Sequence, residues 1–237
     1  MVRMNIRGFV DTSFVDWDKK VSCVVFTAGC NLRCTFCYNF GLVLHPEEFD
    51  EIPEDFIFNF LEENSDFLDG VVVTGGEPTL QPDLEDFIKS VRKFGLGIKL
   101  DSNGTNPEVL MQLIAEGLID YIAMDVKAPL DSEQYSKLAG VNLNSSIGDI
   151  KKSVQLIKSS GVDHEFRTTV VPGVHTKADI EAIAKSLAGA DRYYLQKFQP
   201  NTRFDKLNEN KPQSDAEMEE LAEAARKHIP STEWRGR

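Results

Sequence analysis

The stretch AGCNLRCTFCYN (residues 28–39) holds three of the four cysteines of this chain within eight residues. Cys30, Cys34 and Cys37 are separated by three and then two residues, in a polar loop that a glycine introduces. A tetrahedral structural zinc site needs four protein ligands, and a disulfide framework needs an even number of cysteines. The spacing therefore predicts a centre held by three thiolates.

Two kinds of metal centre remain open for this loop. A [4Fe–4S] cluster is normally held by four thiolates, so three would leave one iron accessible to a substrate or cofactor. A zinc site would need Cys23 or His45 as its fourth ligand. Cys23 lies in an apolar run, and we interpret it as a small buried hydrophobe. No other cysteine is left for a second cluster.

Short apolar runs alternate with amphipathic segments along the chain. Strands are predicted at 21–28, 69–76, 96–104, 119–127, 162–172 and 191–200, and helices near 54–66, 82–94, 107–116, 146–159, 177–188 and 213–228. This alternation indicates an α/β fold with mostly parallel strands, either an open, partial barrel or a doubly wound sheet. We expect one domain, 1–237, with a core at about 20–200, an N-terminal cap or hairpin within 1–19 and a closing C-terminal helix.

The composition argues against several classes of function. A net charge of −12 disfavours a broad basic face, so we expect no binding to nucleic acid. The chain has no apolar run of about 18 residues, so we expect no membrane span. The start, MVRMNIRGF, does not resemble a signal peptide. Clustered cysteines favour metal ligation in a reducing compartment, so we expect a cytoplasmic protein.

Polar segments fall where the predicted strands end. The cysteine loop follows the first strand, GGEP (75–78) the second, DSNG (101–104) the third, DVK (125–127) the fourth and VPG (171–173) the fifth. Because the carboxyl ends of parallel strands meet at one edge, we expect the chemistry to collect there.

The segment CNLRCTFC resembles the CxxxCxΦC motif of the radical S-adenosylmethionine (SAM) superfamily, with Phe36 as the aromatic residue. The resemblance covers about 20–200 and implies a partial (β/α)6 barrel. It also implies an oxidoreductase whose [4Fe–4S] cluster has Cys30, Cys34 and Cys37 as iron ligands and SAM at its open iron. Reductive cleavage of SAM then gives methionine and a 5′-deoxyadenosyl radical that abstracts a hydrogen atom. The cofactor supplies this chemistry, and the protein binds, orients and shields it.

The same resemblance implies further site residues. Glu77 offers an acceptor for the SAM ammonium, Arg167 offers a bidentate donor for its carboxylate, and Lys127 is implied as catalytic by a D-x-K segment. The other implied cofactor contacts are Phe36, Tyr38, Gly75, Gly76, Pro78, Ser102, Asn103, Gly104, Val171 and Gln199. GGEP and SNG can also be read as ordinary turn segments, and Gln199 stands where activases place a histidine. The histidines His45, His164, His175 and His228 show no ligand spacing and are assigned no role.

The segment before the first predicted strand indicates a subgroup. VDTSFVDWDKK (10–20) resembles the S-x-V-D-W-P-G-K phrase of anaerobic ribonucleoside-triphosphate reductase activating proteins, with Asp18 and Lys19 replacing Pro and Gly. The segment LQKFQPN (195–201) fits that group too. This resemblance implies a glycyl-radical activase, with an anaerobic ribonucleotide reductase as partner and flavodoxin or ferredoxin as electron donor.

Two alternatives to this activase remain. One is another small radical SAM enzyme, either a lyase activase or an enzyme acting on a small molecule, such as a 7-carboxy-7-deazaguanine synthase. The other is a non-enzymatic metal or Fe–S binding module. Cleavage of SAM to 5′-deoxyadenosine by the reconstituted protein would exclude the binding module.

Overall fold

The structure, a computed structural model, describes residues 4–200 and 211–236. Predictions that fall on 1–3, 201–210 and 237, including Asn201 of the QPN segment and both ends of the predicted domain, lie outside the described residues. The strands are β1 Ile6–Ser13, β2 Ser22–Thr27, β3 Gly70–Gly75, β4 Gly97–Ser102, β5 Tyr121–Asp125, β6 Asp163–Val170, β7 Tyr193–Lys197 and β8 Thr232–Arg235. The helices are α1 Phe40–Leu44, α2 Glu54–Asn64, α3 Leu84–Arg92, α4 Pro107–Ala115, α5 Ser132–Ala139, α6 Ile147–Ser159, α7 Lys177–Ser186 and α8 Asp215–Arg226, with 3₁₀ turns at Pro46–Glu48 and Pro78–Leu80.

The predicted α/β class with mostly parallel strands is confirmed. The strand order of the sheet follows the chain from β1 to β8. β1 pairs antiparallel with β2, whereas β2 with β3, β3 with β4, β6 with β7, and β7 with β8 are parallel pairs. Each of the six predicted strands and six predicted helices is present. The structure adds β1, where the sequence predicts a cap or hairpin, and β8, α1 and α5, for which the sequence predicts no element.

The chain divides into two compact units, which we describe separately. The first unit comprises the described residues of Met1–Asn31, Asn39–Ser102 and Asn106–Ile122, and the second comprises those of Leu32–Tyr38, Asn103–Thr105 and Ala123–Arg237. The single domain expected from the sequence stays a prediction.

Parallel strands form the core of the first unit. β2, β3 and β4 are aligned in register, with Ser22 opposite Gly70 and Gly70 opposite Gly97. The fully buried valines at their centre are Val24, Val25, Val71, Val72 and Val73. Such continuous apolar runs are typical of parallel strands that are covered on both faces. Helix α3 adds one apolar stripe, formed by Leu84, Phe87, Ile88 and Val91.

Trp17 covers the amino ends of β3 and β4. A Cβ atom at Gly70 would lie 2.6 Å from Cζ3 of Trp17, and one at Gly97 would lie 3.1 Å from its Cη2. The neighbouring Asp16 accepts a hydrogen bond through its carbonyl oxygen from Nζ of Lys99 at 2.6 Å. The two strands therefore begin with glycine because the indole occupies the space of a side chain.

Lys19, in the turn before β2, adopts a left-handed backbone conformation with φ of +61°. This conformation costs a residue with a Cβ about 1 kcal/mol, whereas glycine adopts it freely. We expect Lys19→Gly to raise the free energy of unfolding by up to about 1 kcal/mol in urea titrations. Lys19→Ala, which keeps the Cβ, should give no gain. A loss of stability in Lys19→Gly alone would contradict this account.

The second unit has its own parallel strands. Phe166 of β6 is opposite Tyr193 of β7, which is opposite Thr232 of β8. Phe166 and Tyr193 are fully buried, and the guanidinium carbon of Arg235 lies 3.4 Å from the ring centre of Tyr194. β8 has only four residues, too few to show an alternating pattern, which explains why the sequence does not predict it.

Helix α5 of the second unit is defined mainly by its ends. The side chain of Asp131 accepts hydrogen bonds from the N–H groups of Glu133 and Gln134, which is N-terminal capping. Gly140 ends the helix with φ of +67°.

None of the helices within the described residues is both long and apolar enough to cross a membrane.

Candidate functional site

The cysteine loop contributes to both units. Cys30 belongs to the first unit, and Cys34 and Cys37 belong to the second. All three are half-buried, and the four cysteines of the described chain form no disulfide. Burial raises the pKa of Cys34, and the positive charge of Lys127 partly offsets this. Cys23 is fully buried in β2, where burial raises its pKa to about 12, so it is poorly suited to be a thiolate ligand.

The cysteine loop offers thiolate donors, the ligands that iron–sulfur clusters use. Among residues 4–200 and 211–236, no group of three or more His, Cys, Asp or Glu side chains could hold a metal ion as the structure stands. Ligation by Cys30, Cys34 and Cys37 therefore stays a prediction from their spacing. A zinc site completed by Cys23 is disfavoured because that thiol is inside the core.

In the first unit, GGEP packs against the residues that lead into Cys30. Gly76 donates its N–H to the carbonyl of Thr27 at 2.8 Å, and Glu77 donates its N–H to the carbonyl of Gly29 at 2.9 Å. A Cβ atom at Gly76 would lie only 1.8 Å from the Gly29 oxygen. Gly75 has φ of +112°, which L side chains rarely adopt. Both glycines are thus needed for contact between two backbones.

The carboxylate of Glu77 is completely buried and joins the ends of β3 and β4. Its Oε1 accepts hydrogen bonds from the N–H of Thr79 at 3.2 Å, from the Thr79 hydroxyl at 2.6 Å and from the Ser102 hydroxyl at 2.9 Å. The structure thus brings Glu77 and Ser102 together, and Pro78 is buried beside them. The predicted contact of this segment with the SAM ammonium stays a prediction.

Asn103 and Gly104, in the second unit, form a turn. The Asn103 side-chain oxygen accepts hydrogen bonds from the N–H and hydroxyl of Thr105 at 3.0 and 2.7 Å. Gly104 has φ of +75°, and a Cβ there would lie 2.0 Å from Cε of Met124. These contacts support the turn interpretation of SNG, and the predicted contact with SAM remains untested.

Asp125 is the centre of a charged group at the end of β5. Its Oδ1 lies 2.9 Å from Nε of Arg167 and its Oδ2 lies 3.3 Å from Nζ of Lys127. Nη1 of Arg167 also lies 3.8 Å from Oε1 of the buried Glu165. Burial opposes the charge of Asp125, but Arg167 and Lys127 outweigh it and lower its pKa to about 2. Asp125 is not among the site residues predicted from the sequence, although it is the aspartate of the D-x-K pattern that indicated Lys127.

Two further predicted contacts lie together in the second unit. The hydroxyl of Tyr38 accepts a hydrogen bond from the Gln199 N–H at 2.7 Å and lies 3.2 Å from the Gln199 carbonyl. Gln199 is therefore held by its backbone, which leaves its side-chain identity less constrained. Phe36 and Val171 are both buried, and for these two the predicted role of contacting the cofactor stays a prediction.

Asp125→Asn should lower stability in a pH-dependent way. A carboxylate whose pKa is lowered to about 2 in the folded chain contributes stability above its unfolded pKa and loses that contribution as the pH falls towards 2. We expect a cost of about 1 kcal/mol at pH 7, modest because solvent screens this partly exposed group. Urea titrations between pH 7 and 2.5 measure it. A cost that does not shrink at low pH would contradict the ion-pair explanation.

Comparison with known proteins places the chain in a family. It matches the Radical SAM superfamily over residues 24–187, which is more than half of its length, so the chain belongs to that superfamily. It is therefore an enzyme, and its cofactors are the [4Fe–4S] cluster and SAM that this family uses. The predicted family, enzyme class and cofactors are confirmed.

Individual relatives give more detail. The chain is 37% identical over 94% of its length to "Putative glycyl-radical enzyme activating enzyme MJ1227" of Methanocaldococcus jannaschii, covering 92% of that protein. It is 28% identical over 66% of its length to the pyruvate formate-lyase-activating enzyme of Staphylococcus aureus, covering 64% of it. Among solved structures, Streptococcus suis SuiB bound to its precursor peptide SuiA superposes with a TM-score of 0.70 at 18% identity, over 90% of this chain and 48% of that one. This last likeness concerns the fold alone.

Proposed function

We propose that this enzyme installs a glycyl radical on a partner protein, and that the partner is an anaerobic ribonucleoside-triphosphate reductase. The identity of 37% across 94% of the chain to the M. jannaschii protein named as a glycyl-radical enzyme activating enzyme carries the first part. The pyruvate formate-lyase-activating enzyme is a second relative with this type of activity in its name. We place the enzyme and its partner in the cytoplasm.

The S-x-V-D-W phrase supports the choice of partner. Ser13, Val15, Asp16 and Trp17 match it, and Lys19 stands at its glycine position. The φ of +61° at Lys19 is the conformation that a glycine would adopt there without strain. This backbone conformation at the glycine position of the phrase supports the choice of partner.

We assign the residues roles around SAM. Cys30, Cys34 and Cys37 would hold the cluster, which when bound would supply the electron for cleavage of SAM to methionine and a 5′-deoxyadenosyl radical. Arg167 would bind the SAM carboxylate and the Glu77 segment would bind its ammonium. In the proposed transfer, a Cα–H bond of the partner's glycine breaks and a C–H bond forms in 5′-deoxyadenosine. The electron consumed in each cleavage comes from a flavodoxin or ferredoxin.

Charge supports docking of a basic partner. The first unit contains 21 Asp or Glu residues and 8 Lys or Arg residues. The second unit contains 17 Asp or Glu residues and 18 Lys or Arg residues. The acidic excess thus belongs to the first unit, and residues 46–69 alone carry ten acidic and no basic side chains. A basic patch on the partner would be steered by this charge, and the steering would weaken as salt rises.

The test is an anaerobic mixture of reduced enzyme, SAM and an anaerobic reductase, observed by electron paramagnetic resonance. A glycyl doublet on the reductase, together with 5′-deoxyadenosine, is the expected result. A reductase whose radical glycine is replaced by alanine is the control and should give no doublet. Sustained 5′-deoxyadenosine release that depends on a small molecule and ignores every such protein would overturn the proposal.

A further inference from the structure

His175 lies in the turn between β6 and α7 and is 7% exposed. Its Nδ1 accepts a hydrogen bond from the Val171 N–H at 2.9 Å, and its Nε2 lies 2.9 Å from the carbonyl oxygen of Lys127. A backbone N–H only donates and a carbonyl only accepts, so Nδ1 is unprotonated and Nε2 carries the proton. Burial lowers the pKa of His175, which agrees with a neutral ring.

The peptide groups around Lys127 are held from a second side by Tyr135 of α5. The fully buried Tyr135 hydroxyl accepts a hydrogen bond from the Lys127 N–H at 3.1 Å. The next residue back, Val126, accepts a hydrogen bond from the Thr168 hydroxyl through its carbonyl at 2.6 Å. Tyr135 therefore fixes the N–H of Lys127, and His175 fixes its carbonyl. Of these two side chains, His175 is the one that also bonds to Val171.

We propose that His175 is a positioning residue that fixes Val171 and Lys127 relative to each other, so that the nucleoside end of SAM and the Lys127 ammonium are set by one imidazole. This inference rests on the proposed function and on the roles that the family resemblance implies, a cofactor contact for Val171 and a catalytic role for Lys127. The two ring nitrogens have separate roles, since Nδ1 holds the turn at Val171 and Nε2 holds Lys127, just beyond the end of β5.

His164 provides a matched control within the same unit. It is also buried, at 3% exposed, and both of its ring nitrogens also face polar partners. Its Nδ1 lies 3.0 Å from the Val162 carbonyl oxygen and 3.2 Å from Oδ2 of Asp191, and its Nε2 accepts a hydrogen bond from the Asp191 N–H at 3.3 Å. It lies at the start of β6, whereas His175 follows the end of that strand. If the loss of any buried histidine lowers SAM affinity or radical yield, substitutions at both positions should do so. If the positioning of Val171 and Lys127 is what matters, only substitutions at His175 should do so.

Two conservative variants separate the two bonds of His175. In His175→Asn the amide oxygen can replace Nδ1 as the acceptor for Val171, and in His175→Gln the amide nitrogen can replace Nε2 as the donor to Lys127. His175→Leu removes both bonds. The three His175 variants and the controls His164→Asn and His164→Leu are reconstituted anaerobically. Each is compared with the wild type in three measurements: its affinity for SAM, the glycyl radical formed per 5′-deoxyadenosine, and backbone hydrogen exchange without SAM.

We expect His175→Gln to weaken SAM binding about tenfold, the effect of one lost hydrogen bond, and to speed exchange of the Val171 amide. His175→Asn should bind SAM within about threefold of the wild type, since its Val171 bond persists, but should form fewer radicals per 5′-deoxyadenosine. The His164 variants should change neither quantity. Equal effects of the Asn and Gln variants, or wild-type behaviour of His175→Leu, would overturn the inference.

The outcomes also distinguish this inference from the proposed function. If no partner acquires a glycyl radical but SAM affinity and Val171 exchange separate the Asn and Gln variants as expected, the partner assignment fails and the positioning role stands. If SAM affinity, Val171 exchange and radical yield are all those of the wild type in every His175 variant, the positioning role fails and the proposed function stands. If the wild type does not bind SAM, the Val171 exchange decides the positioning role alone.

Discussion

Replacement of any one of Cys30, Cys34 or Cys37 by alanine is expected to abolish the iron–sulfur cluster and all SAM cleavage. The three cysteines lie within eight residues, and three thiolates are the fewest that can hold a cubane with one open iron. The loss should be complete in each variant, because two thiolates leave a second iron without its ligand. Iron and sulfide content, visible absorbance and 5′-deoxyadenosine yield after anaerobic reconstitution measure it.

Cys23→Ala is the control for these variants. This thiol is fully buried in β2 and its pKa is raised to about 12, so it should stay protonated and keep no metal. The variant should retain cluster and SAM cleavage, with a modest loss of stability from the small cavity. Loss of iron absorbance in Cys23→Ala would replace the three-cysteine site with a four-cysteine site.

Gly76→Ala is expected to have the second largest effect. The added methyl carbon would lie 1.8 Å from the backbone oxygen of Gly29, the residue before Cys30, so at least one of the two backbones would have to shift. Separation of the two segments would also lengthen the hydrogen bonds from Gly76 to Thr27 and from Glu77 to Gly29. We expect a loss of about 3 kcal/mol or more in urea titrations, and a lower cluster content after reconstitution.

Gly148→Ala is the matched control for this substitution. A Cβ at Gly148, in the first turn of α6, would meet nothing within 4 Å. Because alanine is the better helix former, this change should raise stability by about 0.5–1 kcal/mol. If Gly76→Ala assembled a cluster as fully as Gly148→Ala, the contact between GGEP and the cysteine loop would have no structural importance.

Much of the fold could be predicted because its strands are nearly continuous apolar runs. The first four residues of β2 and of β3 are buried, so the hydrophobicity of these strands is visible without any knowledge of their neighbours. β1 could not be predicted in this way, since its burial follows no regular alternation. It is a strand because it pairs with β2. Helix α5 is similarly decided by its capping residues and by burial of Tyr135.

The candidate site shows the same division. The cysteine spacing, the GGEP segment and the D-x-K pattern are local, so the sequence is sufficient to indicate them and their family. The partners of Glu77 and Arg167 are not local: Ser102 and Asp125 lie 25 and 42 residues away along the chain. Isolated charged residues carry no pattern that would reveal such pairs.

By itself the sequence determined the α/β class, the radical SAM family and the cysteines that mark it, because these depend on short-range spacing and on runs of one residue type. Only the tertiary structure decided why Gly76 cannot carry a side chain, which charges surround Asp125, and that His175 joins Val171 to Lys127. The physical reason is that close contact and desolvation arise between segments far apart in the chain. A lone histidine acquires a definite tautomer only when folding places a donor on one side of it and an acceptor on the other.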